Sequence, residues 1–269
     1  ILIGDDASTD GTAEIVRQYQ AAHPELIRAV YQVENQFSKG RRPWRELYFN
    51  LARGRYIAVC DGDDYWSDPL KLQKQVNFLE AHPDYALCFH DATILWDDAS
   101  RAPQTLRPAN LKQSYTLEDL LAGNFIPMLT TLYRHRLFET LPTWYLDLPI
   151  GDCPLPILNA QYGKIGYLPE VMAVYRLHAG GSWSSMDEGA QRRKEIRVFE
   201  LLLDNLGADR APFLRQGLSR LYHRLAEASA AKGERAAARH WLWQSVVTAA
   251  RNPLVTGAER LKLLGKILF

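Results

Sequence analysis

Two short apolar runs of this chain each end in a cluster of aspartates, and this repeated pattern constrains the fold more than any other feature. Ile1-Leu2-Ile3-Gly4 leads directly into Asp5-Asp6, and Tyr56-Ile57-Ala58-Val59-Cys60 leads into Asp61-Gly62-Asp63-Asp64. Apolar runs of this length are typical of buried strands. The pattern therefore predicts an α/β fold in which strand ends present carboxylates at the edge of a sheet.

Helices are predicted between these strands. The spacing of apolar and breaker residues predicts strands over 1–4, 27–32, 56–60 and 85–90, with helices over 12–22, 47–52 and 67–81. Such alternation favours an open, mostly parallel sheet, with ligands bound beyond the carboxyl ends of the strands. We therefore expect both aspartate clusters on one rim. The segments 97–114 and 117–156 show no pattern that assigns them in detail.

The last third of the chain has a different pattern. Apolar positions repeat at helical spacing over 193–206, 212–231 and 235–250, and the last two helices resemble one hairpin of a tetratricopeptide-like unit. The net charge is −5 over residues 1–186 and +6 over residues 187–269. We therefore predict an α/β domain over 1–186, followed by a C-terminal α-helical extension over 187–269.

Composition excludes several classes of protein. With 47% apolar and 23% charged residues the chain is close to the globular average, which excludes a disordered protein. Its net charge of +1 gives no reason to expect binding to nucleic acid. The longest stretch without a charged side chain has 14 residues, fewer than the roughly 20 of a membrane helix. Cys60, Cys88 and Cys153 lie far apart, and we interpret them as reduced core residues of a cytoplasmic protein.

The two aspartate clusters predict a cation site. Like charges repel, and they persist most easily where a cation compensates them. Oxygen ligands suit Mg²⁺ or Mn²⁺, which often take only one or two protein carboxylates and leave the rest of the shell to phosphates and water. A nucleotide diphosphate fits that arrangement. The alternative is that Asp5 and Asp6 cap the following helix and that Asp61 to Asp64 form a turn.

At these residues the sequence resembles the bacterial family 2 glycosyltransferases, which have the GT-A fold and transfer sugars from nucleotide donors. Four separated pieces carry the resemblance: residues 1–12 match a first acidic motif, 56–66 match a strand with the DxD motif, 150–152 match the region of the catalytic acid, and 175–178 match a late Tyr-Arg-Leu-His motif. The resemblance covers residues 1 to 186. Because the family begins with a strand and a helix before its first acidic motif, we expect the chain to be truncated at its N-terminus.

The resemblance implies a role for each aspartate of the two clusters. Asp6 would accept a hydrogen bond from a uracil-type base of the donor, and Asp5 would shape the loop. Asp61 and Asp63 would contact the ribose and the metal, with Asp63 and Asp64 as the metal ligands. Mg²⁺ or Mn²⁺ would neutralise charge on the departing diphosphate.

The resemblance also implies roles for three residues outside the clusters. Asp152 would be the general base that removes a proton from the acceptor hydroxyl, although Gly151 stands where the family commonly has a second acid. His178 would be a further ligand of the metal or the diphosphate, with a structural histidine as the alternative. Lys39 would reach the diphosphate, with a solvated surface charge as the alternative.

The implied activity is that of an inverting, metal-assisted glycosyltransferase. Its donor would be a UDP-sugar, and its acceptor a glycan or lipid-linked sugar of surface polysaccharide assembly. Two alternatives remain at this point: a haloacid-dehalogenase-like phosphatase, which also places DxD after a strand, and a degenerate transferase that acts as a binding module. The basic amphipathic segment 260–269 predicts either peripheral contact with the inner face of the cell membrane or packing on the preceding hairpin.

Overall fold

The computed structural model describes residues 1–41, 49–108, 112–150 and 154–252. Within them the chain divides into two compact units. The first unit comprises Ile1–Arg55 and Phe138–Asp147, and the second comprises Tyr56–Leu137 and Leu148–Phe269. The division into domains at residue 186 stays a prediction.

Helices and strands are interspersed up to residue 177, and the elements described between residues 188 and 252 are all helices. The strands are β1 (Leu2–Asp5), β2 (Arg28–Tyr31), β3 (Tyr56–Ala58), β4 (Tyr65–Trp66), β5 (Tyr85–Trp96), β6 (Gln104–Leu106), β7 (Ser114–Tyr115), β8 (Leu132–Arg134) and β9 (Lys164–Leu177). The helices are α1 (Thr12–Ala22), α2 (Lys71–Ala81), α3 (Leu117–Leu121), α4 (Thr143–Leu146), α5 (Pro154–Ala160), α6 (Glu188–Asn205), α7 (Ala211–Ala231) and α8 (Arg235–Ala250).

The first unit contains a two-stranded parallel sheet, β1 and β2, connected through α1. Gly11 stands at the start of α1 with φ of +88°, a conformation that favours glycine, so the turn from the acidic loop into the helix depends on this residue. The predicted strand, helix and strand are confirmed. Of the helix predicted over 47–52, residues 49–51 are helical, and residues 47 and 48 lie outside the described part of the chain.

The second unit contains a seven-stranded sheet with the order β3-β8-β5-β9-β4, to which β6 and β7 add at β5 and β9. Only β5 and β9 pair in parallel, and the other pairs are antiparallel. The expectation of a mostly parallel sheet is therefore wrong for this unit, because the sheet is mixed. The reason is that the unassigned middle segment supplies β6, β7 and β8, and these strands return antiparallel instead of crossing over through a helix.

The core of the second unit lies along β5 and β9, where Leu87, Phe89, Ile165 and Met172 are fully buried. This burial explains why both strands read as nearly continuous apolar runs. The two cysteines that the structure describes differ in burial. Cys88 is buried as expected, whereas Cys60 is exposed, so its interpretation as a core residue is wrong; Cys153 lies outside the described residues.

The helical extension follows the predicted pattern closely. α6, α7 and α8 begin and end within a few residues of the predicted bounds, except that α6 starts earlier, at Glu188, where the Asp187 side chain accepts the Ala190 N–H. Ser219 and Ser245 join α7 to α8 by reciprocal bonds from each hydroxyl to the other residue's carbonyl, at 2.9 and 2.8 Å. In the described part of the chain no helix is long and apolar enough to cross a membrane. The segment 260–269 lies outside that part.

Candidate functional site

The second aspartate cluster forms a turn between β3 and β4. The backbone N–H of Asp64 donates to the carbonyl of Asp61 at 3.1 Å. β4 then pairs antiparallel with β9, with Tyr65 opposite Val174. This pairing brings the turn next to the last residues of β9, where the late Tyr-Arg-Leu-His motif begins.

The Asp64 side chain accepts a hydrogen bond from the backbone near the end of β9. Its Oδ1 accepts the backbone N–H of Arg176 at 2.9 Å. The Arg176 guanidinium in turn donates to both carboxylate oxygens of Asp97, at 2.6 and 3.1 Å, and these hydrogen bonds hold the pKa of Asp97 below its usual value. Asp64 therefore has a structural role, and its role as a metal ligand stays a prediction.

His178 lies against Asp63. Its Nε2 is 3.1 Å from Asp63 Oδ2, and both side chains remain partly exposed. The segment after His178 folds back on this residue. The backbone carbonyl of His178 accepts the Gly181 N–H at 3.1 Å and the Ser184 hydroxyl at 2.9 Å. The structure thus brings together two of the three residues predicted to hold a metal.

The donor set of this pair suits a divalent cation that is shared with a ligand. One carboxylate and one imidazole are ligands that Mn²⁺ accepts, and a cation held by two side chains takes its remaining ligands from phosphates and water. Among the described residues no group of three or more acidic, His or Cys side chains is arranged to hold a metal. Asp63 and His178 would hold a cation as two of its ligands.

An open cavity of about 640 Å³ adjoins the turn. Asp61, Asp63 and Asp64 line it together with Trp183 of the segment after His178. Its volume lies within the range of small-molecule sites. Other lining residues come from α3, from the segment after it, and from α6 and α7. The helical extension therefore contributes to the same cavity as the aspartates.

The first aspartate cluster shapes a loop of the first unit. Asp6 accepts the backbone N–H groups of Gln36 and Phe37, one at each carboxylate oxygen and both at 2.9 Å. Asp5 is buried; its Oδ2 accepts the Ser8 N–H at 3.3 Å, and its Oδ1 has no hydrogen-bond partner among the described residues. Between the two, Ala7 has a φ of +60°, a conformation that is uncommon for a residue with a side chain.

Two further residues with predicted roles are Lys39, expected to reach the diphosphate, and Asp152, expected to be the general base. The Lys39 ammonium lies 2.6 Å from the Glu34 carboxylate, so its charge is compensated within its own loop. Asp152 lies outside the described residues. The roles given to Lys39 and Asp152 stay predictions.

Comparison with known proteins decides the family. Residues 1–141, more than half of the chain, match the model of glycosyl transferase family 2. The chain belongs to this family. Membership of glycosyl transferase family 2 argues against the haloacid-dehalogenase-like alternative.

Bacterial proteins are similar to this family 2 chain over about two thirds of its length. An uncharacterized protein of Mycobacterium tuberculosis is 39% identical over 189 residues, which are 69% of this chain and 52% of that protein. A Bacillus subtilis protein named as a candidate teichuronic acid biosynthesis glycosyltransferase, TuaG, is 35% identical over 194 residues, 66% of this chain and 67% of that protein. The chain thus spans about half the length of the mycobacterial relative.

A solved structure supports the GT-A assignment. Residues 1–349 of Staphylococcus aureus TarS match with a TM-score of 0.58 at 16% identity, over 99% of this chain and 80% of that one. Identity this low shows the fold alone. The shared fold is an α/β GT-A fold with C-terminal helices.

Sequence reasoning missed a buried lysine next to this family 2 site. Lys71, at the start of α2, is fully buried; its Nζ donates to Gln75 Oε1 at 2.8 Å and lies 4.2 Å from the centre of the Trp66 ring. Burial lowers the pKa of Lys71 to about 8. The contact ties α2 to β4, which follows the aspartate turn directly. A lysine among apolar residues early in the helix was the available signal.

Proposed function

We propose that this chain transfers a sugar from a nucleotide diphosphate donor, a UDP-sugar, to a hydroxyl of a glycan or lipid-linked acceptor, with inversion at the anomeric carbon. The observation that carries the proposal is the Asp63–His178 pair beside a cavity of about 640 Å³ in a member of glycosyl transferase family 2. The name of the relative TuaG supports an acceptor from surface polysaccharide assembly.

Donor binding would use both aspartate clusters. Asp63 and His178 would hold Mg²⁺ or Mn²⁺, with Asp64 as a further ligand, and the cation would supply Lewis-acid neutralisation of diphosphate charge. Asp61 would contact the ribose. In the first unit, Asp6 would accept from the base while Asp5 shapes the loop, and Lys39 would reach the diphosphate after leaving Glu34.

Asp152 would be the general base. As the acceptor oxygen bonds to the anomeric carbon, its proton passes to Asp152, and the bond between that carbon and the diphosphate oxygen breaks. Attack from the face opposite the leaving group gives inversion. The nucleotide diphosphate leaves with the bonding electrons.

Location follows from the proposed acceptor. A lipid-linked sugar would be met at the inner face of the cell membrane, and the basic segment 260–269 would either contact that surface or pack on the α7–α8 hairpin. We propose a cytoplasmic protein on these grounds.

Calorimetric titration of UDP in the presence and absence of Mn²⁺ tests the donor site. Asp63→Asn should weaken Mn²⁺-dependent binding at least tenfold, because a ligand that helps to hold the cation is lost. Asp204→Asn, on the exposed surface of α6, is the matched control. Equal affinity in the two variants would overturn the donor site.

Hydrolysis assays with a panel of nucleotide sugars then test for catalysis. A transferase slowly hydrolyses its donor, whereas a binding module only binds it.

A further inference from the structure

Two helices of the extension present three arginines to the cavity beside the aspartate turn. α6 contributes Arg192 and Glu195, and α7 contributes Arg220 and Arg224. Spacings of three and four residues place side chains on the same face of a helix. The arginine wall, defined here as Arg192, Arg220 and Arg224, is thus set by the helical repeat of α6 and α7.

The arginine wall has an excess of positive charge. Arg192 Nη1 donates to Glu195 Oε2 at 2.6 Å, and the Arg224 charge also acts on Glu195. Arg220 Nη1 donates to the carbonyl of Ala122 at 2.9 Å, and this acceptor is neutral. In the described ranges of the chain, neither Arg220 nor Arg224 has a carboxylate within ion-pair distance. Of the three guanidinium groups, those of Arg192 and Arg224 act on the one carboxylate of Glu195, and that of Arg220 has a neutral acceptor.

Arg192 also has an unpaired donor. Its side chain is 16% exposed, and its Nε is buried with no hydrogen-bond partner among the described residues. An unsatisfied buried donor costs about 1 to 3 kcal/mol, and such groups in folded proteins call for an explanation. An oxyanion in the cavity would satisfy this donor, because guanidinium groups bind phosphate and carboxylate oxygens in a fork geometry.

We propose that the arginine wall binds a phosphate group of the acceptor, so that the acceptor is a phosphate-bearing glycan or lipid-linked sugar. This inference rests on the proposed function, because the donor diphosphate is assigned to Asp63, which lines the same cavity, and to His178, which lies against Asp63. Three cations beside one anion match a phosphate, which carries about −1.5 to −2, better than a carboxylate. The arrangement places the acceptor against the helical extension.

The test is a titration of the 269-residue chain with inorganic phosphate in EDTA at low ionic strength, measured by calorimetry. Arg224→Gln and Arg192→Gln should each weaken phosphate binding about tenfold, since each removes a charge-assisted hydrogen bond. Arg215→Gln on α7 and Arg197→Gln on α6 are matched controls, because they remove the same charge from positions that do not line the cavity. Equal weakening by the controls would overturn the site.

Circular dichroism and thermal melting test whether the arginine variants fold. Arg224 is exposed, so its replacement should leave circular dichroism and the melting temperature unchanged. If Arg192→Gln fails to fold, Arg224→Gln alone decides the outcome. Full phosphate affinity in a folded Arg224→Gln chain would overturn the proposal.

Two further titrations distinguish the source of the anion. Acetate should bind at least tenfold more weakly than phosphate, and equal affinity would contradict the phosphate assignment. UDP with Mn²⁺ should bind Arg224→Gln as it binds the wild type. If Arg224→Gln weakens UDP and phosphate alike, the wall binds the donor, and the acceptor assignment fails. If instead Asp63→Asn leaves UDP binding intact, the proposed donor site fails while the phosphate site stands.

Discussion

His178 Nε2 and Asp63 Oδ2 lie 3.1 Å apart although the two residues are 115 positions apart in the sequence. The contact exists because β4, which follows the aspartate turn, pairs with β9, which ends one residue before His178. The pairing of β4 with β9 therefore positions both residues of this contact. The two side chains should therefore act as one unit in donor binding.

A double-mutant cycle tests this coupling. His178→Ala should weaken Mn²⁺-dependent UDP binding about tenfold, because half of the paired donor set is lost. The double variant Asp63→Asn with His178→Ala should weaken Mn²⁺-dependent UDP binding by clearly less than the product of the two single fold-changes. His223→Ala, on the exposed face of α7, is the control. Fully multiplicative effects would show that the two side chains bind independently.

Asp64 should differ from Asp63 in its effect on stability. Asp64→Ala removes the acceptor of the Arg176 N–H and should lower the free energy of unfolding by about 1 to 3 kcal/mol. Asp64→Asn keeps an oxygen acceptor and should retain most of that stability. Urea unfolding of both variants measures the difference. Equal stabilities of the alanine and asparagine variants would show that this hydrogen bond contributes little.

The elements with local signals could be predicted from the sequence. α1 and α2 each stop before a His-Pro pair, and α7 and α8 are separated at Lys232-Gly233-Glu234; proline and glycine act within a few residues of the chain. The sequence also singles out Asp63 and His178, because each lies in a recognisable motif; their role as metal ligands stays a prediction.

Pairing of the short strands could not be predicted. β4 and β7 have two residues each, too few to show a period, and their partners are decided by contacts with β9. The mixed sheet follows from these pairings. The arginine wall was not predicted, because the helical spacing of Arg220 and Arg224 does not show whether their face of α7 lines a cavity or faces solvent.

Gly217 should be intolerant of a side chain. A Cβ at this position would lie 2.5 Å from the carbonyl oxygen of Leu121 and 2.4 Å from Cε1 of Phe199, so α7 would have to move away from α3. Gly217→Ala should therefore lower the free energy of unfolding by about 1 to 3 kcal/mol, despite the better helix propensity of alanine. Gly62→Ala meets no atom within 4 Å and is the control. A melting temperature at or above that of the wild type would contradict this packing.

The proposed base gives a kinetic prediction. Asp152→Asn keeps the shape of the side chain but removes the proton acceptor, so turnover should fall by about 10²-fold or more while UDP affinity is unchanged. Transfer assays with a saturating donor measure the change. Near-normal transfer would move the base to another residue, with Asp147 the next candidate.

Buried His90 should make the protein sensitive to mild acid. The side chain is 1% exposed, and its Nδ1 lies 2.7 Å from the carbonyl of Asp91. Burial, together with the nearby Lys71 charge, lowers the pKa of His90 to about 4 from an ordinary value of 6.5. Between these two pH values the unfolded chain binds a proton that the folded chain does not. Folding stability should therefore fall as the pH drops from 6.5 to 4, by an amount on the order of 3 kcal/mol.

Comparison of variants isolates the contribution of His90 to that loss. Asp84 and Asp97, whose pKa values are lowered by Lys164 and Arg176, lose their stabilising effect around and below their ordinary value of 3.8, at the acid end of this window, and this loss is common to all variants. Burial raises the pKa of Glu195, which shifts stability in the opposite direction and is common to all variants. His90→Gln should thus show a flatter decline of unfolding free energy between pH 6.5 and 4 than the wild type or His223→Gln. Parallel declines in all three proteins would mean that His90 takes up its proton as readily in the folded chain as in the unfolded one.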